Sequence, residues 1–330
     1  MIDLLIFIIF QTDKWLLMIE IKLKKNVDDN FGRIISSIVE LMDEINKEGI
    51  EEDIVLNYSE AKFTHPFFTL PLLLLIKNLN SHYGYNISIS KEKFKNEFVK
   101  EYMATIHFPE FLCCEEMSIE EIGLVLKGFE NKSYLPLIQF PIGGDLETIR
   151  VRDTFIQHLN NLVCKITDID SYPGLKSPIL YFIDELLSNI IHHAKFDNGY
   201  IMAQHYKTKG YVDICIADIG RTLMESYQEF ENNKYDISNH KSALESSLRG
   251  KSTKGGIDRG YGISTSINML CKGLGGRFFM FSGNAFTVQE DEKSDIIETN
   301  LDHIFWKGVL ICLRIPCYVP KGFNYLNYLE

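Results

Sequence analysis

The sequence predicts an α/β protein built in two parts. Its 330 residues exceed the length of one ordinary domain. Residues 18–90 alternate short β-rich runs with apolar helical stretches, the pattern of a small α/β layer. Residues 178–270 carry an amphipathic helix, a buried strand with an acidic tip, and a basic Gly-rich loop that runs into a second helix.

The elements follow in order. Residues 1–17 read MIDLLIFIIFQTDKWLL, with an unbroken apolar run from Leu4 to Phe10. The run is too short to span a bilayer, Asp3 makes its start acidic, and no small-residue cleavage site follows. The reading adopted is a hydrophobic partner-binding tail or translated sequence upstream of a start at Met18; an edge strand is the third option. MIEIKL (18–23) alternates like a half-buried strand. Asp28 or Asp29 can cap a helix over residues 30–46, whose apolar face includes Phe31, Ile38, Leu41 and Ile45. DIVLN (53–57) is a buried strand, Thr64 and Pro66 open an apolar helix, and NISIS (86–90) is a third strand. Residues 92–111 are amphipathic and helical. Ser118 and Glu121 form a capping box for a short helix that ends near Gly128. The boundary between the two parts is placed between residues 129 and 144.

Residues 145–166 form a long helix, and the turn at 168–177 contains Pro173 and Gly174. PILYFIDELLSNIIHHA (178–194) is the helix that carries the chemistry. Ser177 is a candidate N-cap and Pro178 suits the first helical position. Leu180, Ile183, Leu187, Ile190 and Ile191 make its buried face. Glu185 and Asn189 lie four apart, one above the other. An amide oxygen there can ligate Mg²⁺, which prefers hard oxygen donors. A carboxylate there can orient or deprotonate an attacking water or hydroxyl. Residues 200–206 and 211–216 are hairpin-like strands. The second ends in ADIG, with Asp218 able to accept from an exocyclic amine and Gly220 leaving room for a flat ring. Residues 249–270, RGKSTKGGIDRGYGISTSINML, combine basic residues, glycines and a helix start near Tyr261 or Gly262, which is an anion-binding pattern. Residues 289–301, rich in Asp and Glu, read as an exposed hairpin loop insertion.

In this order and spacing the stretches resemble the nucleotide-binding motifs of the GHKL ATPase superfamily, which includes DNA gyrase and the histidine kinases. ELLSNIIHHA matches the N box, ADIG the first glycine box and RGYGIS the second; GGRFFMFSGN (275–284) and KGVLICLRIP (307–316) match the closing strands. The resemblance covers residues 145–320. It implies an α/β sandwich whose sheet is mixed and mainly antiparallel, with helices on the other side, and it implies ATP and Mg²⁺ as cofactors. Carried over by position, Glu185 would be the general base and Asn189 the Mg²⁺ ligand. Asp218 would accept the adenine amine and Gly220 would admit the ring. Gly260 and Gly262, with Tyr261 and Ile263 beside them, would hold the phosphates. Lys251, Thr253, Lys254 and Arg259 would lie in or beside a lid. Two positions depart from the pattern: Thr222 stands where a second glycine is usual, and Val309 follows Gly308 where a threonine is common. Residues 18–110 more weakly resemble a STAS domain, and this α/β module is given the span 18–130. The phosphoacceptor serine of that family is missing, since the aligned residues are His65, Pro66 and Phe67. The implied role is docking or sensing.

The composition narrows the classes further. A net charge of −11 argues against sequence-independent nucleic-acid binding. The seven cysteines are scattered without a C-x-x-C, which speaks against a disulfide framework or zinc site and fits a cytoplasmic protein. None of the nine histidines is followed by Glu or Asp, so autophosphorylation on histidine is disfavoured. His192 and His193 are adjacent, and adjacent helical residues diverge rather than chelate. The expectation is an ATP-Mg²⁺-binding signalling protein that hydrolyses ATP or transfers its γ-phosphate to a partner protein. Contact with that partner could run through the N-terminal module, and a homodimer is compatible with the sequence. The alternative is an ATP-gated interaction switch without turnover.

Overall fold

The computed structural model describes residues 4–11, 14–23, 31–48, 53–89, 94–106, 119–129, 131–141, 149, 153, 156, 157, 160, 161, 164, 176–193, 198–251, 262–290, 293–299 and 303–328. The chain divides into two compact units, Met1–Glu115 and Glu116–Glu330. The division falls ahead of the 129–144 span read from the sequence. The helix α4 (Ile119–Gly128) and strand β5 (Tyr134–Pro141) belong to the second unit, because β5 pairs into its sheet.

In the first unit the order is β1 (Leu4–Gln11), β2 (Lys14–Lys22), α1 (Phe31–Glu48), β3 (Asp53–Asn57), α2 (Pro66–Tyr83), β4 (Asn86–Ile89) and α3 (Glu97–Thr105). The sheet order is β1-β2-β3-β4. β2, β3 and β4 are parallel, joined through α1 and α2, as the β-α-β-α-β pattern requires. Residues 4–11 are extended. They form a strand antiparallel to β2, which itself begins at Lys14, ahead of Met18. α2 has a polar start and a glycine stop: His65 Nδ1 accepts the Phe67 N–H at 3.1 Å, Pro66 follows, and Gly84 ends the helix at φ 75°. The first three turns of α2 are buried, from Pro66 to Ile76. Phe31 of α1 meets Phe67 edge-on at 5.4 Å.

In the second unit, α5 (Lys176–His193) precedes β6 (Asn198–Tyr206) and β7 (Tyr211–Asp218). Then come α6 (Leu223–Glu229), α7 (His240–Leu248), α8 (Gly262–Asn268), β8 (Arg277–Gly283), β9 (Ala285–Glu290), β10 (Lys293–Glu298) and β11 (Trp306–Pro316). All described residues between 149 and 164 are helical, in keeping with the predicted helix. The sheet order is β10-β9-β8-β11-β7-β6-β5. Among the described residues every pairing in it is antiparallel, not mixed. The hairpin expected around residues 289–301 is built from paired strands, as β9 and β10 zip together from Ala285↔Glu298 to Glu290↔Lys293. An α/β fold with one largely parallel and one antiparallel sheet is the result.

The register explains where the core sits. On β7, Val212, Ile214 and Ile216 face a core shared with Phe182, Ile183 and Leu186 of α5, Leu244 of α7 and Ile267 of α8. Each such buried side chain contributes about 1.5–3 kcal/mol, far more than the helix-propensity differences along α5. The opposite face of the sheet is buried as well. Tyr200, Met202, Cys215, Cys312, Phe279 and Phe281 are all 2% exposed or less. A two-layer reading with one open sheet face does not provide for this. On that face Arg314 binds Asp213 through two bonds of 2.8 Å, directly across the β7–β11 pair, and its guanidinium lies 4.0 Å from the Tyr211 ring. No helix among the described residues is long and apolar enough to cross a membrane.

Candidate functional site

Asp218 is the last residue of β7 and is fully buried. Its carboxylate is held by two backbone donors. The Gly220 N–H reaches Oδ1 at 2.8 Å, which closes a tight turn, and the Val309 N–H reaches Oδ2 at 3.2 Å from β11. The indole N–H of Trp306 donates to the Asp218 carbonyl at 3.2 Å. Burial pushes the Asp218 carboxyl up to about 7; the two N–H groups and the Arg221 guanidinium oppose that rise by favouring the charged form. Each carboxylate oxygen retains a further lone pair, so the group can still accept a hydrogen bond from an amine. With Asp218 fully buried, a ligand reaches it only when a neighbouring element moves aside.

Around this carboxylate the chain is tied by backbone rather than by charge. Ser282 of β8 donates to the Gly308 carbonyl at 2.7 Å and accepts the Leu223 N–H at 2.9 Å. It links β8, β11 and the start of α6. Thr222, expected among the cofactor-binding residues, is the N-cap of α6. Its hydroxyl contacts Glu225 Oε2 at 2.9 Å and accepts the Glu225 N–H at 3.3 Å, while its own N–H reaches that carboxylate at 2.6 Å. This gives Thr222 a structural role.

α5 packs on β7 and against α8. It turns Ile179, Phe182, Ile183, Leu186 and Leu187 inward and leaves Glu185 half-buried on its flank. Tyr181, one turn earlier, has its phenol pKa raised by burial and then by the Glu185 charge. The adjoining Asp184 accepts from Asn160 at 3.0 Å, fastening α5 to the helical residues before it. Asn189 lies within α5, four residues after Glu185, and its side chain lies outside the described atoms.

α8 starts at Gly262, as the loop-to-helix reading requires. Ile263 sends its side chain into the hydrophobic core at 8% exposure. Lys251 is tied down. Its N–H reaches the Ser246 carbonyl at 3.0 Å, its carbonyl accepts the Tyr227 hydroxyl, and its ammonium lies 5.5 Å from the Tyr235 ring. Thr253, Lys254, Arg259, Gly260 and Tyr261 lie outside the described residues. The structure therefore brings α5, β7 and α8 together and adds Ser282, Trp306, Gly308 and Val309 to the neighbourhood of Asp218. Of these, Gly308 and Val309 carried a signal in the sequence. Ser282 and Trp306 did not, because their roles depend on strand neighbours distant along the chain. Among the described residues no three His, Cys, Asp or Glu side chains cluster as a metal site. No family model matches the chain, and no curated protein or solved structure matches it.

Proposed function

We propose that the second unit binds ATP with Mg²⁺ and cleaves or transfers the γ-phosphate, acting in the cytoplasm as a regulatory protein of the GHKL type. The observation that carries this reading is Asp218. It is a single carboxylate at a strand tip, anchored by backbone donors, in a sheet whose next-door helices supply Glu185 and the Gly262 helix start. By residue type the donors suit the group. Asp218 would take the adenine amine, Asn189 the metal, and the backbone around Gly260 and Gly262 the phosphates. Bound Mg²⁺ would supply positive charge against the triphosphate. Glu185 would orient the attacking water or hydroxyl and hold its proton. The first unit would dock the protein that is regulated or phosphorylated.

The test is incubation of the purified chain with Mg²⁺ and γ-labelled ATP, alone and with candidate partner proteins. Free phosphate or labelled partner, reduced by Asp218→Asn, is the expected result. Absence of ATP binding by calorimetry would overturn the reading.

A further inference from the structure

We propose that the open edge of β1 pairs antiparallel with β1 of a second copy of this chain, joining two four-stranded sheets about a two-fold axis. The two sheets have four edges between them, and three are protected. β4 is only four residues long. β10 carries Lys293, Asp295 and Glu298. β5 contains Pro136 and Pro141, and its register shifts between Leu135 and Ile138. Short length, charge, proline and irregular register are the devices by which edge strands avoid pairing with other chains.

β1 has none of them. It is eight residues long, LLIFIIFQ, without charge, proline or glycine. Its register with β2 runs unbroken from Leu4↔Ile21 to Gln11↔Lys14. On its other side no strand stands among the described residues. At about 3.4 Å per residue the edge offers about 27 Å of backbone donors and acceptors. Both alternating sets are apolar, Leu4-Ile6-Ile8-Phe10 and Leu5-Phe7-Ile9. That is the composition of an interior strand, not of an edge.

A second β1 is the occupant that meets these terms. A lipid surface would cover apolar side chains but leave the row of N–H and C=O groups unpaired. Charge does not oppose self-pairing at this strand. The chain carries −11 overall, so two copies repel, whereas β1 against β1 opposes no like charges in any register. The pairing is isologous, as a two-fold dimer requires.

The test uses the full chain. Sedimentation at micromolar concentration is expected to give twice the 38.1 kDa chain mass. Hydrogen exchange is expected to protect β1 amides at consecutive positions, with half of that protection lost on dilution. The double substitution Phe7→Lys with Ile9→Lys is expected to yield a folded monomer. If that variant does not fold, the exchange pattern of the unaltered chain decides by itself. A monomer throughout, free exchange at alternate β1 amides while the dimer is present, or a dimer that survives the double substitution would each overturn the proposal. So would binding to phosphatidylcholine–phosphatidylserine vesicles, or capture of a foreign peptide, in place of a second copy.

Discussion

Gly308 stands directly against Asp218: a Cβ on Gly308 would lie 2.3 Å from the Asp218 carbonyl oxygen and 2.5 Å from Oδ1. Gly308 also sits at φ 88°, a conformation that costs other residues about 1–2 kcal/mol. Gly308→Ala therefore meets both a backbone penalty and a clash. Gly210→Ala is the control, since it sits at φ 71° with nothing near its missing Cβ. Urea melts should show a loss of about 1–2 kcal/mol for Gly210→Ala and a clearly larger loss for Gly308→Ala. Equal losses would mean that the Asp218 contact gives way freely.

The raised pKa of Asp218 makes a signed prediction. Below its unfolded value of 3.8 the group is protonated in both states, and its contribution is constant. Between 3.8 and about 7 the folded state holds the extra proton, so stability attributable to this group falls as pH rises and levels off above about 7. The whole swing is at most about 4 kcal/mol. Asp218→Asn should flatten that part of the stability–pH curve. ATP affinity should move the other way in the unaltered protein, rising through pH 7 as the acceptor ionises. Calorimetry across that range with both proteins checks the pair.

Arg314 and Asp213 form a pair with almost no access to water. Removing one partner strands a buried charge, so Arg314→Met should cost about 3–5 kcal/mol. Asp213→Val with Arg314→Met should recover most of that loss, because two apolar groups need no partner. Thermal melts of the single and double variants measure the coupling.

Glu185→Gln keeps shape and helix propensity while removing the carboxylate proposed as the base. Turnover should fall by about 10²–10⁴-fold with ATP binding retained. Asn189→Ala should weaken both. Single-turnover kinetics with a parallel binding assay separates the two, and full turnover in Glu185→Gln would remove that residue from the chemistry.

Thr222→Ala should destabilise by about 1 kcal/mol through loss of the α6 cap, whereas Thr222→Gly should cost only a few tenths. Equal melting temperatures for the alanine and glycine variants would contradict the capping role.

Much of the fold was legible where one physical signal was strong. α5 was readable from its apolar spacing, although it begins at Lys176, one residue before the cap proposed at Ser177. β7 was readable because a strand buried on both faces is apolar at nearly every position. The strand-helix alternation likewise told the order of the first unit. β10 was not legible, since its charges suit both an exposed loop and an edge strand. β1 was not, because an apolar run has no period to separate tail from strand. The site was half legible. Local motifs pointed to Asp218 and Gly220, but the donor from Val309 lies 91 residues away in sequence. That the Ile263 side chain joins the core was not legible, because a residue at a helix start can offer its backbone outward while its side chain packs inward.

The strand order has a consequence for synthesis. β11, which is made after every other described strand of its sheet, is not at an edge but lies between β7 and β8. Its Cys312 finds Cys215 97 residues back. Until Trp306–Pro316 emerges, β5-β6-β7 and β8-β9-β10 are two separate partial sheets, each with an unfilled inner margin. At about 5–20 residues per second the nascent chain waits several seconds between making β7 and β11. The Asp218 cradle, which needs Gly308 and Val309, is therefore assembled only after Trp306–Pro316 has emerged. A polypeptide stalled before this point has the Asp218 carboxylate but not the backbone that seats it.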